Sequence, residues 1–410
     1  MSIYNDAMTI IDSAISSALP DAAVKKALAE ADFGGRTIHL VAIGKAAWQM
    51  ANAAYKELGS RIADGMVITK YGHSNGSIGS LEIFEAGHPV PDENTYAATS
   101  AVVEKAGHWG ENDAVLFLIS GGGSALFEMP LISGAELQEL TNQMLACGAD
   151  IVEMNKIRKR LSAVKGGRFA ELCAPAKVFS VILSDVLGDP VDMIASGPAY
   201  PDSSTCSDAL AIVSKYSLTL SARALECLSR ETPKQLDNVE TYISGSVRQL
   251  CEAARKQCIA LGYEPFILTD MLSCIAREAG SFLASIAKTY AGCGRSLAFI
   301  AGGETVVKLT GKGLGGRNQE LALSAAAGIA GMENVAVFSV GSDGTDGPTD
   351  AAGGYVDGKT LSVLCENSIS IDRVLAENDS YHALKKCGGL IITGNTGTNV
   401  NDLSVLLIRA

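Results

Sequence analysis

The sequence of 410 residues lacks several features by which classes of protein are recognised. Only 6% of its residues are aromatic and 19% are charged, and its ten cysteines include no C-x-x-C pair. The low fraction of charge argues against intrinsic disorder. Widely separated cysteines argue against a thiolate metal site and indicate a reducing compartment. No apolar run approaches membrane-spanning length, so we expect no transmembrane helix.

Basic residues are also in deficit, with 33 Lys and Arg against 45 Asp and Glu and a net charge of -12. Without a broad basic surface, neither a nucleic acid nor an anionic membrane is an expected partner. The N-terminal segment MSIYNDAMTIIDSAISSAL interrupts its apolar positions with acidic residues. This pattern predicts an amphipathic helix and not a secretion signal. We therefore expect a soluble cytoplasmic protein.

Hydrophobic residues make up 47% of the chain, and 43 residues are glycine. Short apolar runs that end in Gly, Ser or Asp and are followed by helical patterns recur at 38–44, 115–123, 178–185, 297–303, 335–341 and 389–394. Such alternation predicts an α/β fold with mainly parallel sheets covered by helices. The length indicates two domains. We place a Rossmann-like domain at 1–235 and a second α/β domain at 236–410.

Ligands of parallel α/β sheets bind beyond the carboxyl ends of the strands, and two turns at such ends suit an anion. Gly121, Gly122 and Gly123 lie between Ser120 and Ser124, and consecutive glycines can present their amides as an anion nest. This turn has neither the Gly-Lys-Ser/Thr of a P-loop nor a dinucleotide fingerprint, whose sixth position is here Leu126. Lys45, at another strand-to-helix turn, can reach a phosphate.

The glycine-rich stretch at 302–320, GGETVVKLTGKGLGGRNQE, is the most informative segment of the chain. Glycines let a backbone approach a ligand closely, and we expect those at 311–316 to form a mobile loop. Arg317 carries a planar fork suited to phosphate or carboxylate oxygens. A helix that begins beside Arg317 would favour an anion further, so this segment predicts an anion site.

Acidic loops follow two other strands. Asp185 and Asp189 lie four residues apart, so they could hold Mg²⁺, or one could accept a proton from a substrate hydroxyl. A turn or helix cap is the structural alternative for one of them. Asp343 lies in the densest acidic loop, GSDGTDGPTD, which suits magnesium-nucleotide chemistry better than a calcium loop.

A basic cluster, NKIRKRLSAVKGG at 155–167, is the last candidate. Lys156, Lys159 and Arg160 lie in a helical pattern, where they form either a solvated face or part of an anion site. Lys165 adjoins paired glycines and has the most ligand-like position of the cluster.

Taken together, these motifs resemble the glycerate 2-kinase family, whose members carry a C-terminal MOFRL domain. The landmarks occur in the family's order: GKAA, SGGGSAL, NKIRKRLSAVKGGRFA, SDVLGDP, IASGP, GGETVV, GGRNQE, GSDGTDGPTDAAGG and TGTNVND. They extend from about residue 40 to the C-terminus. One departure is Asn395, where the family usually has a proline.

The resemblance implies transfer of phosphate from ATP to the 2-hydroxyl of D-glycerate with Mg²⁺, in a cleft between two α/β domains. It implies a MOFRL region at about 295–405 and either a monomer or a homodimer. The alternatives are an NAD(P)H-dependent hydroxypyruvate reductase and a kinase for a related hydroxy acid.

On this resemblance we assign site residues by role. Lys45, Arg317 and Asp185 are the catalytic candidates. Gly121, Gly122, Gly123, Ser124 and Lys165 are assigned to nucleotide phosphates. Asn155, Glu304 and Asn318 are assigned to the substrate, and Asp189 and Asp343 to the metal.

Overall fold

The computed structural model describes residues 2–184, 188 and 191–410, which group into two compact units. The N-terminal unit comprises Ala23–Ser184 and 191–244, and the C-terminal unit comprises 2–22 and Gly245–Ala410. The first helix thus groups with the opposite half of the chain from the predicted 1–235 domain. Its buried Asp6 accepts hydrogen bonds from Tyr263 at 2.7 Å and from Arg409 at 2.8 Å, which fixes the helix there.

The N-terminal unit contains a sheet in the order β3-β2-β1-β4-β5-β6. Its strands are β1 (Thr37–Ile43), β2 (Ile62–Lys70), β3 (Glu82–Ala86), β4 (Asp113–Ile119), β5 (Lys177–Leu183) and β6 (Val239–Gly245). Its helices are α2 (Pro20–Glu30), which begins in the other unit, α3 (Ala47–Leu58), α4 (Glu93–Ala106), α5 (Gly123–Leu126), α6 (Gly134–Ala146), α7 (Ile151–Arg160), α8 (Arg168–Cys173), α9 (Cys206–Tyr216) and α10 (Ala222–Leu228). The pairings among β1 to β5 are all parallel.

The C-terminal unit contains a sheet in the order β11-β10-β9-β12-β8-β7. Its strands are β7 (Glu264–Leu272), β8 (Leu297–Gly303), β9 (Val335–Gly341), β10 (Gly353–Asp357), β11 (Leu390–Ile391) and β12 (Asp402–Ile408). Its helices are α1 (Ile3–Ser17), α11 (Val247–Ala260), α12 (Ala276–Tyr290), α13 (Arg317–Gly328), α14 (Thr360–Glu366), α15 (Ile371–Ala376) and α16 (Ser380–Cys387). Four strands share one direction, while β10 and β12 run antiparallel to their neighbours.

Apolar strands explain both cores. In β4 and β5 every residue after the first is buried, as expected for strands with helices on both faces. In β8, β9 and β12 every residue is buried. The prediction of two α/β domains with mainly parallel sheets is confirmed, although the sequence did not indicate the reversed strands. Within the described residues no helix is long and apolar enough to cross a membrane.

Candidate functional site

The carboxyl edge of the N-terminal sheet collects most of the anion-binding candidates. Because β1 to β4 are parallel, the segments that follow them meet at one edge. Lys45 follows β1, Lys70 ends β2, His88 follows β3 and Ser120 follows β4. Burial lowers the pKa of His88, and the nearby charges of Lys45 and Lys70 lower it further. This edge therefore carries a concentration of positive charge.

The turn that contains Lys45 is tied directly to the glycine turn. The amide of Lys45 donates to the carbonyl of Gly121 at 2.9 Å, and that of Ala46 donates to Ser120 Oγ at 3.1 Å. Gly44 has φ of +112°, and a Cβ there would lie 2.3 Å from Ser120 Oγ, so only glycine fits. Among the described residues the Lys45 ammonium has no carboxylate within 4 Å, so its charge is available to an anion.

The glycine turn has the form of a nest. Gly122 adopts φ of +86°, and the amide of Gly123 donates to the carbonyl of Ser120 at 3.3 Å. The amides of Gly121 and Gly122 have no acceptor within the described part of the chain. Two successive free amides beside a lysine can bind an anionic oxygen.

Ser124 begins a buried polar chain. Its hydroxyl lies 3.0 Å from that of Ser196, which in turn donates to Asn155 Oδ1 at 2.9 Å. Ser196 and Ala195 adopt left-handed backbone angles, with φ of 62° and 51°, and such strain in non-glycine residues clusters at functional sites. Asn155 is 4% exposed and is paired with Ser196, unlike the open position that its assignment to the substrate implied.

Lys165 is also placed differently from its assignment to phosphate. It is completely buried, and its ammonium group donates to the carbonyls of Ser124 and Phe127, both at 2.8 Å. Its third partner is the Glu128 carboxylate at 3.1 Å. Burial lowers the pKa of Lys165, whereas Glu128 raises it. Because three protons have three acceptors, Lys165 holds the glycine turn in position and does not itself contact phosphate.

Two further members of the basic cluster are internal, whereas Lys156 and Arg158 are only partly buried. Lys159 and Arg160 are 2% and 0% exposed, so they form no solvated face. Both make ion pairs with the buried Asp202, at 3.2 and 3.4 Å. They stabilise the unit and offer no charge to a ligand. Two predicted site residues, Asp185 and Asp189, lie outside the described residues.

Arg317 is the central group of the C-terminal unit. Its guanidinium forms a bidentate pair with Asp402, at 2.6 and 3.0 Å, and a third contact with Glu304 at 2.9 Å. Burial disfavours the charge, but hydrogen bonding to Asp402 outweighs it and raises the pKa of Arg317. The side chain is still 34% exposed, so an external anion can reach it.

Strand direction explains how these groups meet. Glu304 follows β8, and Asp402 is the first residue of β12. Because β12 is antiparallel to both neighbours, Asp402 pairs with Gly303 and Gly341, the last residues of β8 and β9. The sequence-based assignments did not include Asp402. The sequence feature that could have indicated Asp402 is its position as an acidic residue at the start of an apolar run.

Asn318, which was assigned to the substrate, is instead buried and already paired. Its Nδ2 donates to Asp346, while its Oδ1 accepts from Ser339. The Asp346 carboxylate accepts hydrogen bonds from the backbone amides of Asn318 and Gln319, at 3.1 and 2.9 Å. It therefore caps the N-terminus of α13. Burial raises the pKa of Asp346 to about 6, although these amides lower it. Asn318 therefore helps to hold the α13 terminus and the Arg317 cluster.

Asp343 accepts a hydrogen bond from the Thr345 amide at 2.9 Å. In the described part of the chain no three His, Cys, Asp or Glu side chains converge as a metal site would require. The carbonyl of Asp343 accepts from the Thr396 amide, and Asn395 accepts from the Gly397 amide at 3.1 Å. The amide side chain of Asn395 thus closes the turn where the family usually has a proline.

The glycines at 311–316 are packed against other backbone segments of the same unit. A Cβ on Gly311 would lie 2.3 Å from the Glu377 backbone, and one on Gly316 would lie 2.2 Å from Asp346. The loop also donates amides to Asn378 and Asp379. These glycines therefore permit close packing of the chain. That structural role accounts for them without the predicted approach loop.

Two short patterns in this unit match nucleotide-binding fingerprints without their geometry. GKGLGG at 311–316 has the dinucleotide spacing, but it lies well beyond the end of β8 instead of directly after it. GGYVDGKT at 353–360 matches the P-loop pattern, but its first five residues form the antiparallel strand β10. Neither segment can form the corresponding turn.

We expect the raised pKa of Asp346 to affect stability. A rise from 3.8 to about 6 means that the folded state favours the protonated acid, by about 3 kcal/mol at most. This contribution is present below about pH 4 and lost as the pH passes 6. Relative to Asp346→Asn, the wild type should lose unfolding free energy between pH 4 and 7.5, as measured by denaturant titration. A difference that does not change with pH would contradict the protonated buried acid.

Residues 6–229 match a family described as "Domain of unknown function (DUF4147)", and residues 297–402 match the MOFRL family. The chain is 53% identical to the D-glycerate 2-kinase of Thermotoga maritima, over 98% of this chain and 97% of the relative. It is 40% identical to the glycerate 2-kinase of Pyrococcus horikoshii, over 91% and 88% of the two chains.

The structural comparison agrees. A crystal structure of a glycerate kinase from Thermotoga maritima superposes with a TM-score of 0.95 at 52% identity, and the match covers 99% of each chain. A match over this share of the chain spans both sheets. The chain belongs to the glycerate 2-kinase family.

Proposed function

We propose that this protein transfers the γ-phosphoryl group of ATP to the 2-hydroxyl of D-glycerate, which gives 2-phosphoglycerate and ADP. The observation that carries the proposal is the full-length likeness to a D-glycerate 2-kinase, at 53% identity. Within the described residues, the amides of Gly121 and Gly122 have no acceptor and Lys45 has no carboxylate partner, and these groups supply the anion-binding chemistry that this reaction needs. A cytoplasmic location and a monomeric or homodimeric state belong to the same proposal.

Phosphoryl transfer depends mainly on positioning and on neutralisation of charge, because the transition state spreads negative charge over phosphate oxygens. Gly121 and Gly122 would hold phosphate oxygens through their amides, with Ser124 at the end of the turn. Lys45 would neutralise charge on the transferring group. The neighbouring Lys70 raises the local positive potential, as its effect on the pKa of His88 indicates.

Arg317 would bind a phosphate or the carboxylate of glycerate. Three of its five N–H donors are committed to Asp402 and Glu304, which fix the plane of the guanidinium. The remaining N–H groups can bind an oxygen anion. Glu304 would act as a positioning residue, because its carboxylate is paired with Arg317. The same carboxylate would repel an anionic substrate.

Mg²⁺ would neutralise the nucleotide phosphates, as it does in other kinases. Asp343 fits this role in chemistry, because its carboxylate is partly exposed. One carboxylate is enough for a Mg²⁺ ion that takes its other oxygens from phosphates and water. Asp185 and Asp189 stay predictions as base and metal ligand.

Hydroxypyruvate reduction is the competing activity. Neither of the turns that follow β1 and β4 carries the dinucleotide fingerprint, and the GKGLGG pattern is packed against Glu377 and Asp379. A kinase for a related hydroxy acid would need the same groups as the proposed reaction, so only substrate comparison separates those two.

Phosphorus NMR of the product from ATP and D-glycerate tests the reaction. We expect a 2-phosphoglycerate resonance that requires Mg²⁺ and stops in excess EDTA. A 3-phosphoglycerate resonance would contradict the assigned position of transfer. Oxidation of NADH with hydroxypyruvate and no transfer from ATP would support the reductase instead.

Substitution of Lys45 tests its role at the reacting phosphate. Loss of one preorganised charge should lower kcat by about a hundredfold or more in Lys45→Ala, with the fold retained. Lys56→Ala is the matched control, because Lys56 is an exposed lysine on α3, the helix that begins just after Lys45. Steady-state kinetics measure both. Near-normal turnover in Lys45→Ala would remove Lys45 from the mechanism.

A further inference from the structure

The N-terminal unit contains a cavity of about 310 Å³. Its walls are the segment 89–91, the first turn of α4, the residues of α5 and one face each of α6 and α7. We call it the α6–α7 cavity. Every residue that lines it lies in one compact unit.

Most of the α6–α7 cavity wall is apolar, and Val90, Leu137 and Met154 provide much of it. Polar side chains also line the wall, and three of them, Tyr96, Glu128 and Arg158, are ionisable. An apolar cavity with a few polar groups is the usual form of a site for a small organic ligand. A C3 hydroxy acid is polar throughout, and it would leave these apolar surfaces unused.

Two of the polar groups lack full partners. Glu128 is 3% exposed, and its Oε1 has no hydrogen-bond partner within the described part of the chain, whereas Oε2 is paired with Lys165. Unsatisfied buried acceptors are rare in folded proteins. Arg158 is partly buried, yet among the described residues it has no carboxylate within 4 Å. A ligand with a hydrogen-bond donor for Glu128 and an anionic group for Arg158 would supply the partners that these two side chains lack.

The cavity is continuous with the glycine turn. Ser124 lines the cavity and is also the last residue of the SGGGS turn. Lys165 binds the carbonyls of Ser124 and Phe127 together with Glu128, so it holds the turn and the cavity wall in one arrangement. A ligand that fills the cavity and extends past Ser124 would therefore approach the amides of Gly121 and Gly122, which have no acceptor within the described part of the chain.

We infer that the α6–α7 cavity binds the nucleoside end of ATP, with Arg158 directed at its phosphates. This inference rests on the proposed kinase function, and it adds a specific binding site for the nucleoside. The volume lies at the low end of the range for ligand pockets, which suits a nucleoside while the phosphates extend past Ser124. A base amino group is the donor that Glu128 lacks.

Binding of ADP, measured by isothermal titration calorimetry in the absence of glycerate, tests the inference. Thr141 lines the cavity from the partly exposed side of α6, so Thr141→Phe should fill it with little effect on folding. We expect ADP affinity to fall at least about tenfold, and KM for D-glycerate to stay within about twofold. Asn142→Phe, at the next and exposed position of α6, is the matched control.

Arg158→Gln provides a second test that does not depend on filling the cavity. This substitution should weaken the binding of ADP at least about tenfold. The affinity for adenosine should stay within about twofold of the wild-type value. A Thr141→Phe protein that binds ADP normally, or an Arg158→Gln protein in which KM rises for D-glycerate alone, would overturn the nucleoside site.

The outcomes separate this inference from the kinase proposal. Phosphoryl transfer with ADP binding that ignores both substitutions would contradict the cavity assignment alone. ADP binding that responds to both substitutions, without transfer to glycerate, would support the nucleoside site and contradict the kinase. Absence of ADP binding in the wild-type protein would overturn the inference directly.

Discussion

Strands that run in the same direction end at the same edge of a sheet, so the segments that follow them meet even when they are far apart along the chain. In the N-terminal unit this constraint brings Lys45 to the glycine turn, where the Lys45 amide bonds to Gly121. In the C-terminal unit one reversed strand has the equivalent effect. Because β12 is antiparallel to β8 and β9, its first residue, Asp402, reaches the edge where Arg317 binds it.

Buried charges hold these turns in position. Lys165 is enclosed by two carbonyls and Glu128, and Arg160 is enclosed by Asp202 and its neighbours. Removal of one partner from such a pair leaves an uncompensated charge in the interior, which costs several kcal/mol, on the order of 3–5. The same logic applies to Arg317, whose charge is stabilised by Asp402. Lys45 differs from these cations, because among the described residues its ammonium has no carboxylate within 4 Å.

Much of the fold could be predicted from the sequence, because apolar strands and glycine turns leave a periodic pattern. The edges of β1, β8 and β9 agree closely with that pattern. The direction of β12 could not be predicted, since an apolar run is the same in either direction. The burial of a charged side chain could not be predicted from the sequence either. Lys165 and Arg160 lie in a basic cluster that the sequence alone leaves open to an anion site. Only their pairing with Glu128 and Asp202, which are distant in sequence, shows that their charges are held internally.

We propose that nucleotide phosphates bind at the glycine turn of the N-terminal unit. Hydrogen–deuterium exchange of the full chain, with and without ADP and Mg²⁺, tests this claim directly, because the amides of Gly121 and Gly122 are free of acceptors in the described chain. The account predicts nucleotide-dependent protection at 44–47 and 120–126. Unchanged exchange in both segments, with protection confined to 302–304 and 342–346, would contradict it.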